Sequence, residues 1–281
     1  MSAIDFTPIV PEVLAAFGLG SARSINVLGG TATPKWDVTT EHGRFVVRIR
    51  PPEFAASDRT AFTYQTLLRL AAAGLPVPRP QSTPSGETGL SRNDATFEVL
   101  TWIDGDSWSA DVVGATHGIG VFLARFHTVL AHDHPKDNPE QLREDHPDRL
   151  QAILDSLIAR TDDAVAKQQL EKIKALLVQG RRELESSLYP SLPRTVIHGD
   201  FHPGNVRFHG ADVAALYDFD YLAVQARARD IVDALMFFAS DRSTPYEPDH
   251  IRSLTQPFIP NFEASQAVLS GYQSITPLTG W

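Results

Sequence analysis

The chain of 281 residues contains no cysteine, which excludes disulfide bonds, thiolate nucleophiles and cysteine-based zinc sites. It also lacks a surplus of basic residues, because 25 Lys and Arg stand against 34 Asp and Glu, for a net charge of −9. This balance argues against a general nucleic-acid surface, which needs a basic face to meet phosphates. No apolar run approaches the roughly 18 residues of a membrane span, and the first residues lack the basic start and apolar core of a secretory signal. We therefore expect a cytoplasmic protein with no nucleic-acid or membrane partner.

The remaining composition is that of a globular protein, with 42% hydrophobic and 21% charged residues, so the chain can bury a sizeable core. Its most informative stretch reads His-Gly-Asp-Phe-His-Pro-Gly-Asn over residues 198–205, and Asp-Phe-Asp follows at residues 218–220. Between them, apolar residues flank a turn-prone segment at residues 209–212, a pattern that predicts a short β-hairpin. We expect this hairpin to carry Asp218 back beside Asn205.

The residue types in these two motifs suit the transfer of a phosphoryl group. Such a reaction depends on positioning the reactants and neutralising charge, and little covalent work is left to the protein. We predict that Asp200 is the catalytic carboxylate, which orients the acceptor hydroxyl and accepts its proton. Magnesium prefers oxygen ligands and keeps several waters, so a carboxylate and an amide carbonyl suffice beside phosphate oxygens. We therefore predict that Asp218 and Asn205 are the metal ligands.

The spacing of these residues resembles that of the aminoglycoside phosphotransferase and choline kinase superfamily, a branch of protein-kinase-like enzymes that includes homoserine-kinase-like members. Asp200 and Asn205 stand five residues apart, as in the kinase catalytic loop, and Asp218 occupies the place of the metal-binding Asp. Gly199 stands where protein kinases carry Arg, which is usual in this branch. The resemblance implies an α+β, bilobal protein-kinase-like fold.

Hydrophobic patterns along the chain agree with two lobes. The predicted strands are 25–28, 44–49 and 97–103, and the predicted helices are 61–73, 119–130, 150–188 with a break at 161–163, and 262–272. An N-terminal nucleotide-binding lobe of antiparallel sheet plus helix would span residues 1–103, with a hinge at about residues 100–106. A mainly helical catalytic and acceptor-binding lobe, with the catalytic-loop hairpin, would span residues 107–281.

The resemblance also implies a nucleotide site in the N-terminal lobe. The candidate loop spans residues 28–33 and contains Gly29 and Gly30. Glycines let the backbone approach a phosphate closely, although two glycines between strands are also typical of an ordinary turn. In the hinge, backbone groups from Leu100 to Trp102 are expected to meet the adenine edge.

Arg48 occupies the position at which the family places a Lys or Arg against the α- and β-phosphates. Its guanidinium can neutralise phosphate oxygens and fork onto them. One neighbouring position departs from the family, since Thr63 stands where a helix glutamate often pairs with this cation. Glu53 or Asp58 could take the place of that glutamate, or the affinity for ATP could be low.

Four other residues have predicted supporting or open roles. We expect His198 to brace the catalytic loop by a hydrogen bond and His127 to pack against a helix face. Asp230 stands at a predicted helix start, and the resemblance implies that it supports the catalytic loop. Asp220 has two open interpretations, because it could bind a second metal ion or only tie down its own loop.

The sequence therefore predicts an ATP- and Mg²⁺-dependent small-molecule kinase. Its acceptor would be a hydroxyl of an amino alcohol, a homoserine-like amino acid, an aminoglycoside or a sugar, and its oligomeric state is left open. Two other functions remain as alternatives. Thr63 favours a nucleotide-binding pseudokinase, and the His and Asp cluster favours a metal-dependent phosphohydrolase in which His198 and His202 would bind metal.

Overall fold

The structure, a computed structural model, describes residues 5–29, 33–131, 147–184, 188–244, 246–247 and 251–278. The helices are α1 (Val10–Ala16), α2 (Ser57–Ala72), α3 (Ala115–Leu130), α4 (Pro147–Arg160), α5 (Ala164–Leu184), α6 (Leu188–Ser191), α7 (Ala228–Phe238) and α8 (Phe262–Gln273). The strands are β1 (Ala22–Leu28), β2 (Lys35–Thr40), β3 (Gly43–Arg50), β4 (Leu90–Arg92), β5 (Ala95–Thr101), β6 (Arg194–Ile197), β7 (Val206–His209), β8 (Asp212–Leu216), β9 (Ala223–Ala226), β10 (Ser240–Arg242) and β11 (Phe258–Pro260). Across the described ranges, no helix is both long enough and apolar enough to cross a membrane.

The N-terminal part of the chain forms a five-stranded antiparallel sheet in the order β1-β2-β3-β5-β4. Strand β2 is missing from the strands predicted above, although Trp36 and Val38 alternate with Lys35 and Asp37 along it. Trp36 and Val38 are buried in the cluster that packs under α1. Val46 lies on the opposite face and packs with α2. Lys35 and Asp37 therefore lie on the same face as Val46, which is the face of the sheet that packs against the rest of the molecule.

Helix α2 begins at Ser57, four residues before the predicted start, and this extra turn includes Arg59. The break predicted at residues 161–163 is confirmed, since α4 ends at Arg160 and α5 begins at Ala164. The predicted strand at residues 97–103 is confirmed as β5, although it ends earlier, at Thr101. The predicted α+β class, an antiparallel sheet followed by a mainly helical region, is confirmed.

Helix α3 is the centre of the helical region. The apolar face predicted for it is buried, and α8 packs closely against it. Two glycines permit this approach. A Cβ on Gly120 would lie 2.0 Å from the carbonyl oxygen of Val268, and a Cβ on Gly271 would lie 2.2 Å from that of His117.

Two nested antiparallel pairs carry the sequence motifs. The outer pair joins β6 to β9, and the inner pair joins β7 to β8 as the predicted hairpin. Residues 198–205 connect β6 to β7, and residues 218–220 lie between β8 and β9. Because the pairs are nested, both connecting segments emerge at the same end, which brings the two motifs together.

Candidate active site

The first motif is a loop whose two principal side chains contact each other directly. The Asn205 Nδ2 donates to the backbone oxygen of Asp200 at 2.9 Å and to its Oδ2 at 3.0 Å. The backbone N–H of Tyr217 donates to the Asn205 carbonyl at 2.8 Å, so the hairpin brings the second motif beside the first, as predicted. Asp218 follows with a φ of 61°, a left-handed conformation that is uncommon outside glycine and typical of functional sites.

His198 braces the loop, as predicted, and uses both ring nitrogens to do so. Its Nε2 contacts the Tyr217 carbonyl at 2.9 Å, and its Nδ1 accepts the Asp200 N–H at 3.3 Å. His202 is also engaged, because its Nδ1 accepts the Gly204 N–H at 3.0 Å. The phosphohydrolase alternative required both imidazoles as metal ligands, and these contacts argue against it.

The environment of Asp200 keeps its carboxylate ionised. Burial by itself would raise the pKa of Asp200, but the interaction with His202, with smaller effects from His198 and Asn205, outweighs burial and lowers it. The His202 Nε2 lies 3.4 Å from the Asp200 Oδ2. Asp200 therefore accepts hydrogen bonds at neutral pH, as an orienting carboxylate must.

Asp230 accepts hydrogen bonds from the backbone of the loop at residues 198–205, which agrees with its predicted supporting role. It lies in the first turn of α7 and is fully buried. Its Oδ2 accepts the His198 N–H at 2.7 Å, and its Oδ1 accepts the Gly199 N–H at 2.8 Å. The predicted packed histidine, His127, joins this network through Nε2, 3.1 Å from the Asp230 Oδ2, and through Nδ1, 2.8 Å from the Tyr272 hydroxyl.

The predicted metal ligands, Asn205 and Asp218, both have side-chain oxygen atoms that can coordinate a cation. The Nδ2 of Asn205 is turned toward Asp200, and among the described residues no hydrogen bond occupies its Oδ1. The Asp218 carboxylate has cations nearby at longer range, with Lys35 Nζ at 3.9 Å and Arg48 Nη1 at 3.6 Å. A hard divalent cation fits this donor set, because one amide oxygen and one carboxylate match its preferred chemistry.

Arg48, the residue predicted to bind phosphate, is buried on β3. Its Nη1 donates to the Asp220 Oδ2 at 3.0 Å and its Nη2 to the Asp220 Oδ1 at 2.6 Å. Asp220 therefore ties its loop to the sheet. Burial would raise the pKa of Asp220, but the charges of Arg48, Arg50 and Arg59 outweigh it and lower the pKa.

The sequence patterns did not predict two residues that lie near Arg48. Lys35 lies directly opposite Arg48 in the register of β2 and β3, and Glu98 lies directly opposite it in the register of β3 and β5. Directly opposed side chains share one face of a sheet. Besides Asp220, the carboxylate that pairs with Arg48 within the sheet is therefore Glu98, and not Glu53 or Asp58. Recognising β2 by its alternating pattern would have found Lys35, whereas no local signal marks Glu98.

Of the two glycines predicted for the phosphate loop, Gly29 directly follows β1, at the edge of this face, whereas Gly30 lies outside the described residues. In the segment predicted to be the hinge, the Trp102 N–H donates to the Arg44 carbonyl at 3.0 Å, and the Arg44 guanidinium lies 3.9 Å from the centre of the Trp102 ring. An adenine contact by the backbone of Trp102 would thus use its carbonyl oxygen. Leu100 is buried in the main core, with Val46 opposite it.

A cleft of about 420 Å³ opens beside the catalytic loop, at Pro203. This size is in the range of small-molecule sites. Aromatic and acidic side chains line it, among them Trp108, Phe237, Tyr246, Asp111 and Asp241. Arg242 also lines it, but its guanidinium donates to backbone carbonyls, including those of Leu254 and Met236.

Comparisons with known proteins agree with this arrangement. A model described as the phosphotransferase enzyme family matches residues 24–264. A homoserine kinase from Hyphomonas neptunium is 25% identical, in an alignment 278 positions long that covers 97% of this chain and 80% of that protein. A homoserine kinase from Gluconobacter oxydans is 26% identical, in an alignment 282 positions long that covers 98% of this chain and 81% of that protein.

Solved structures confirm the predicted protein-kinase-like fold. An amicoumacin kinase in complex with AMP-PNP, Ca²⁺ and Ami has a TM-score of 0.70 at 19% identity, over 95% of this chain and 77% of that one. A choline kinase from Cryptosporidium parvum has a TM-score of 0.58 at 17% identity, over 90% of this chain and 73% of that one.

Proposed function

The chain belongs to the phosphotransferase enzyme family and is a small-molecule kinase, and we propose that it transfers the γ-phosphoryl group of ATP, with Mg²⁺, to a hydroxyl of a small metabolite. The observation that carries this proposal is the direct contact of Asn205 with Asp200, together with the backbone bond that joins Asn205 to Tyr217, the residue before Asp218. These are the chemical groups that the reaction needs, in adjacent positions.

In this proposal Asp200 is the catalytic residue. Its ionised carboxylate orients the acceptor hydroxyl toward the phosphoryl group and takes up the hydroxyl proton as the new bond forms. Asn205 fixes the direction of that carboxylate through its Nδ2. The Asn205 Oδ1 and the Asp218 carboxylate would hold Mg²⁺. When bound there, Mg²⁺ supplies charge neutralisation for the phosphate oxygens.

We assign residues 1–103 to nucleotide binding, residues 100–106 to the hinge, and residues 107–281 to catalysis and acceptor binding. The phosphates of ATP would lie beneath the sheet face that carries Arg48, close to the backbone of Gly29 and Gly30. The adenine would meet the backbone from Leu100 to Trp102. Arg48 supplies positive charge at the phosphate end, since its guanidinium spans the space between the sheet and the Asp218 loop.

Lys35 adds a second cation to this end of the site. Its ammonium group is partly exposed, and the acidic group nearest to it is Asp218 at 3.9 Å. A directly opposed pair of cations, Lys35 and Arg48, is unfavourable in a sheet unless anions compensate it. Glu98 and Asp220 compensate Arg48. We therefore propose that Lys35 neutralises a phosphate group of the bound nucleotide.

The acceptor would occupy the cleft beside Pro203. Relatives named homoserine kinases favour a small amino acid or amino alcohol, while aminoglycosides and sugars stay within the same chemistry. A cytoplasmic location, where ATP is available, fits the reaction. The pseudokinase alternative was motivated by Thr63, and it is weakened because Glu98 pairs with Arg48 and because Asp200, Asn205 and Asp218 are all present.

The test is a screen for acceptor-dependent consumption of ATP. The purified chain, with Mg²⁺ and ATP, is given pools of amino alcohols, homoserine and related amino acids, sugars and aminoglycosides. We expect one pool to raise ATP consumption above the acceptor-free background. Asp200→Asn should then lower turnover by roughly 10²–10⁴-fold and leave ATP binding intact.

Asp212→Asn, at the exposed first residue of β8, is the matched control and should keep full turnover. Nucleotide binding without consumption in any pool would support the pseudokinase. A hit that survives in Asp200→Asn would remove Asp200 from the catalytic role.

A further inference from the structure

The buried cluster beneath the sheet contains a carboxylate, Glu98, that has so far been described only as compensating the charge of Arg48. Glu98 lies in the middle of β5 and is only 1% exposed. Its Oε1 accepts from the Nε of Arg48. Its Oε2 accepts from Arg50, through Nε at 3.1 Å and Nη2 at 2.8 Å. A fully buried carboxylate persists only when its charge and lone pairs are satisfied in this way.

The helix that packs on this face does not supply such a carboxylate. Thr63, at the position where the family often has glutamate, is buried on α2 and carries no charge. Helix α2 contributes hydrogen-bond donors instead of an acceptor carboxylate. The Tyr64 hydroxyl donates to the Glu98 Oε2, and the Arg59 Nη2 donates to the backbone carbonyl of Asp220.

We propose that Glu98 is the positioning residue for Arg48, so that the carboxylate holding the phosphate-end cation comes from the neighbouring strand and not from the helix. This inference rests on the proposed kinase function. Glu98 engages the Nε edge of the guanidinium, which leaves the two Nη groups directed at Asp220 and Asp218. Arg48 then acts on the phosphate end and on the predicted metal carboxylate together.

The location of Glu98 has a mechanistic consequence. Arg48 and Glu98 are opposed in one antiparallel ladder, so their separation is set by the backbone register of β3 and β5. In protein kinases the corresponding pair joins a strand to a helix, and movement of that helix controls activity. Here a displacement of α2 would leave the pair of Arg48 and Glu98 intact. The guanidinium of Arg48 thus keeps its orientation in every state in which the sheet is folded.

Glu98→Gln tests the inference, because it keeps the size of the side chain and removes the charge. We expect the affinity for Mg–ATP to fall about 10–100-fold, as is typical when the group that orients a site residue is lost. The affinity for adenosine, which has no phosphate, should stay as in the wild type. In steady state, KM for ATP should rise more than kcat falls. Glu98→Asp should recover part of the affinity, and Glu87→Gln on the exposed surface should change neither affinity.

A double-mutant comparison separates positioning from folding. If Glu98 acts through Arg48, adding Glu98→Gln to Arg48→Met should cause no further loss of Mg–ATP affinity. Glu98→Asp, which keeps the charge, replaces Glu98→Gln in both experiments if the latter does not fold. If the folded single variant binds Mg–ATP with wild-type affinity, the inference is wrong but the proposed function is unaffected. The same holds if the affinities for Mg–ATP and for adenosine fall equally. A wild-type chain that binds no Mg–ATP would overturn the proposed function and the inference with it.

Discussion

The carboxylate of Asp230 accepts the backbone N–H of Gly199 at 2.8 Å, which fastens helix α7 to the catalytic loop. Gly199 has a φ of 81°, a left-handed conformation that favours glycine. The same carboxylate accepts the N–H of His198 and contacts His127. Burial by itself would raise the pKa of Asp230, but the hydrogen bond from His127, with smaller effects from His198 and the Gly199 N–H, outweighs burial and lowers it. The geometry of the loop thus depends on an ionised buried group.

Asp230→Asn should therefore lower the free energy of unfolding by about 3–5 kcal/mol, because it breaks a buried charged network. Since the pKa is lower in the folded state, this stabilisation is present above the unfolded carboxyl pKa, about 3.9. It is lost as the pH falls through the lowered folded value. Urea unfolding at several pH values should show a full difference at neutral pH and a smaller one in acid. Asp162→Asn, at an exposed position, is the control, and equal stabilities of Asp230→Asn and this control would contradict the prediction.

In a plot of kcat against pH, His202→Ala should move the acidic limb to higher pH. Burial opposes ionisation of Asp200, and His202 is the main influence that holds its pKa down. Without the imidazole the pKa of Asp200 rises, so the carboxylate becomes protonated at a higher pH and turnover is lost earlier on acidification. We expect the midpoint of the acidic limb to lie at a higher pH in the variant than in the wild type. His209→Ala, at the exposed last residue of β7, should leave the limb in place. An unchanged limb in His202→Ala would show that another group controls it.

Lys35→Met should raise KM for ATP about tenfold, which corresponds to the loss of about 1.4 kcal/mol from one charge-assisted phosphate contact. The side chain is partly exposed and has a long-range contact with Asp218, so the thermal midpoint should change little. Lys35→Arg should retain most of the affinity because the charge remains. Lys167→Met, on the exposed surface of α5, removes the same charge far from the motifs. Similar KM values for Lys35→Met and Lys167→Met would rule out the phosphate role.

Gly271→Ala should destabilise the protein by about 1–3 kcal/mol, which is typical of overpacking. Its Cβ would lie 2.2 Å from the His117 carbonyl, so α8 would have to move away from α3. Gly180→Ala is the matched control, because a Cβ at that position on α5 meets nothing within 4 Å. Alanine there should stabilise the helix by about 1 kcal/mol through its higher helix propensity. Chemical unfolding measures both changes, and the prediction fails if the two variants shift in the same direction.

Local patterns in the sequence were sufficient for several elements. The turn-prone residues 209–212 predicted the hairpin, and helical periodicity predicted the buried face of α3. Strand β2 was missed because the alternation of residues 35–38 is short, and with it Lys35 was missed. The small outer pair of β6 and β9 was missed as well, since its two strands are far apart in the chain and short.

The sequence by itself determined the family and the chemistry proposed for the loop, because the spacing of Asp200, Asn205 and Asp218 places the functional groups that one reaction needs along a short stretch of chain. Only the tertiary structure decided which charges meet. Arg48 stands 50 residues from Glu98 and 172 residues from Asp220. Periodicity and turn chemistry act over a few residues, whereas the choice between carboxylates such as Glu53, Asp58 and Glu98 depends on strand register and on which side chains are buried together.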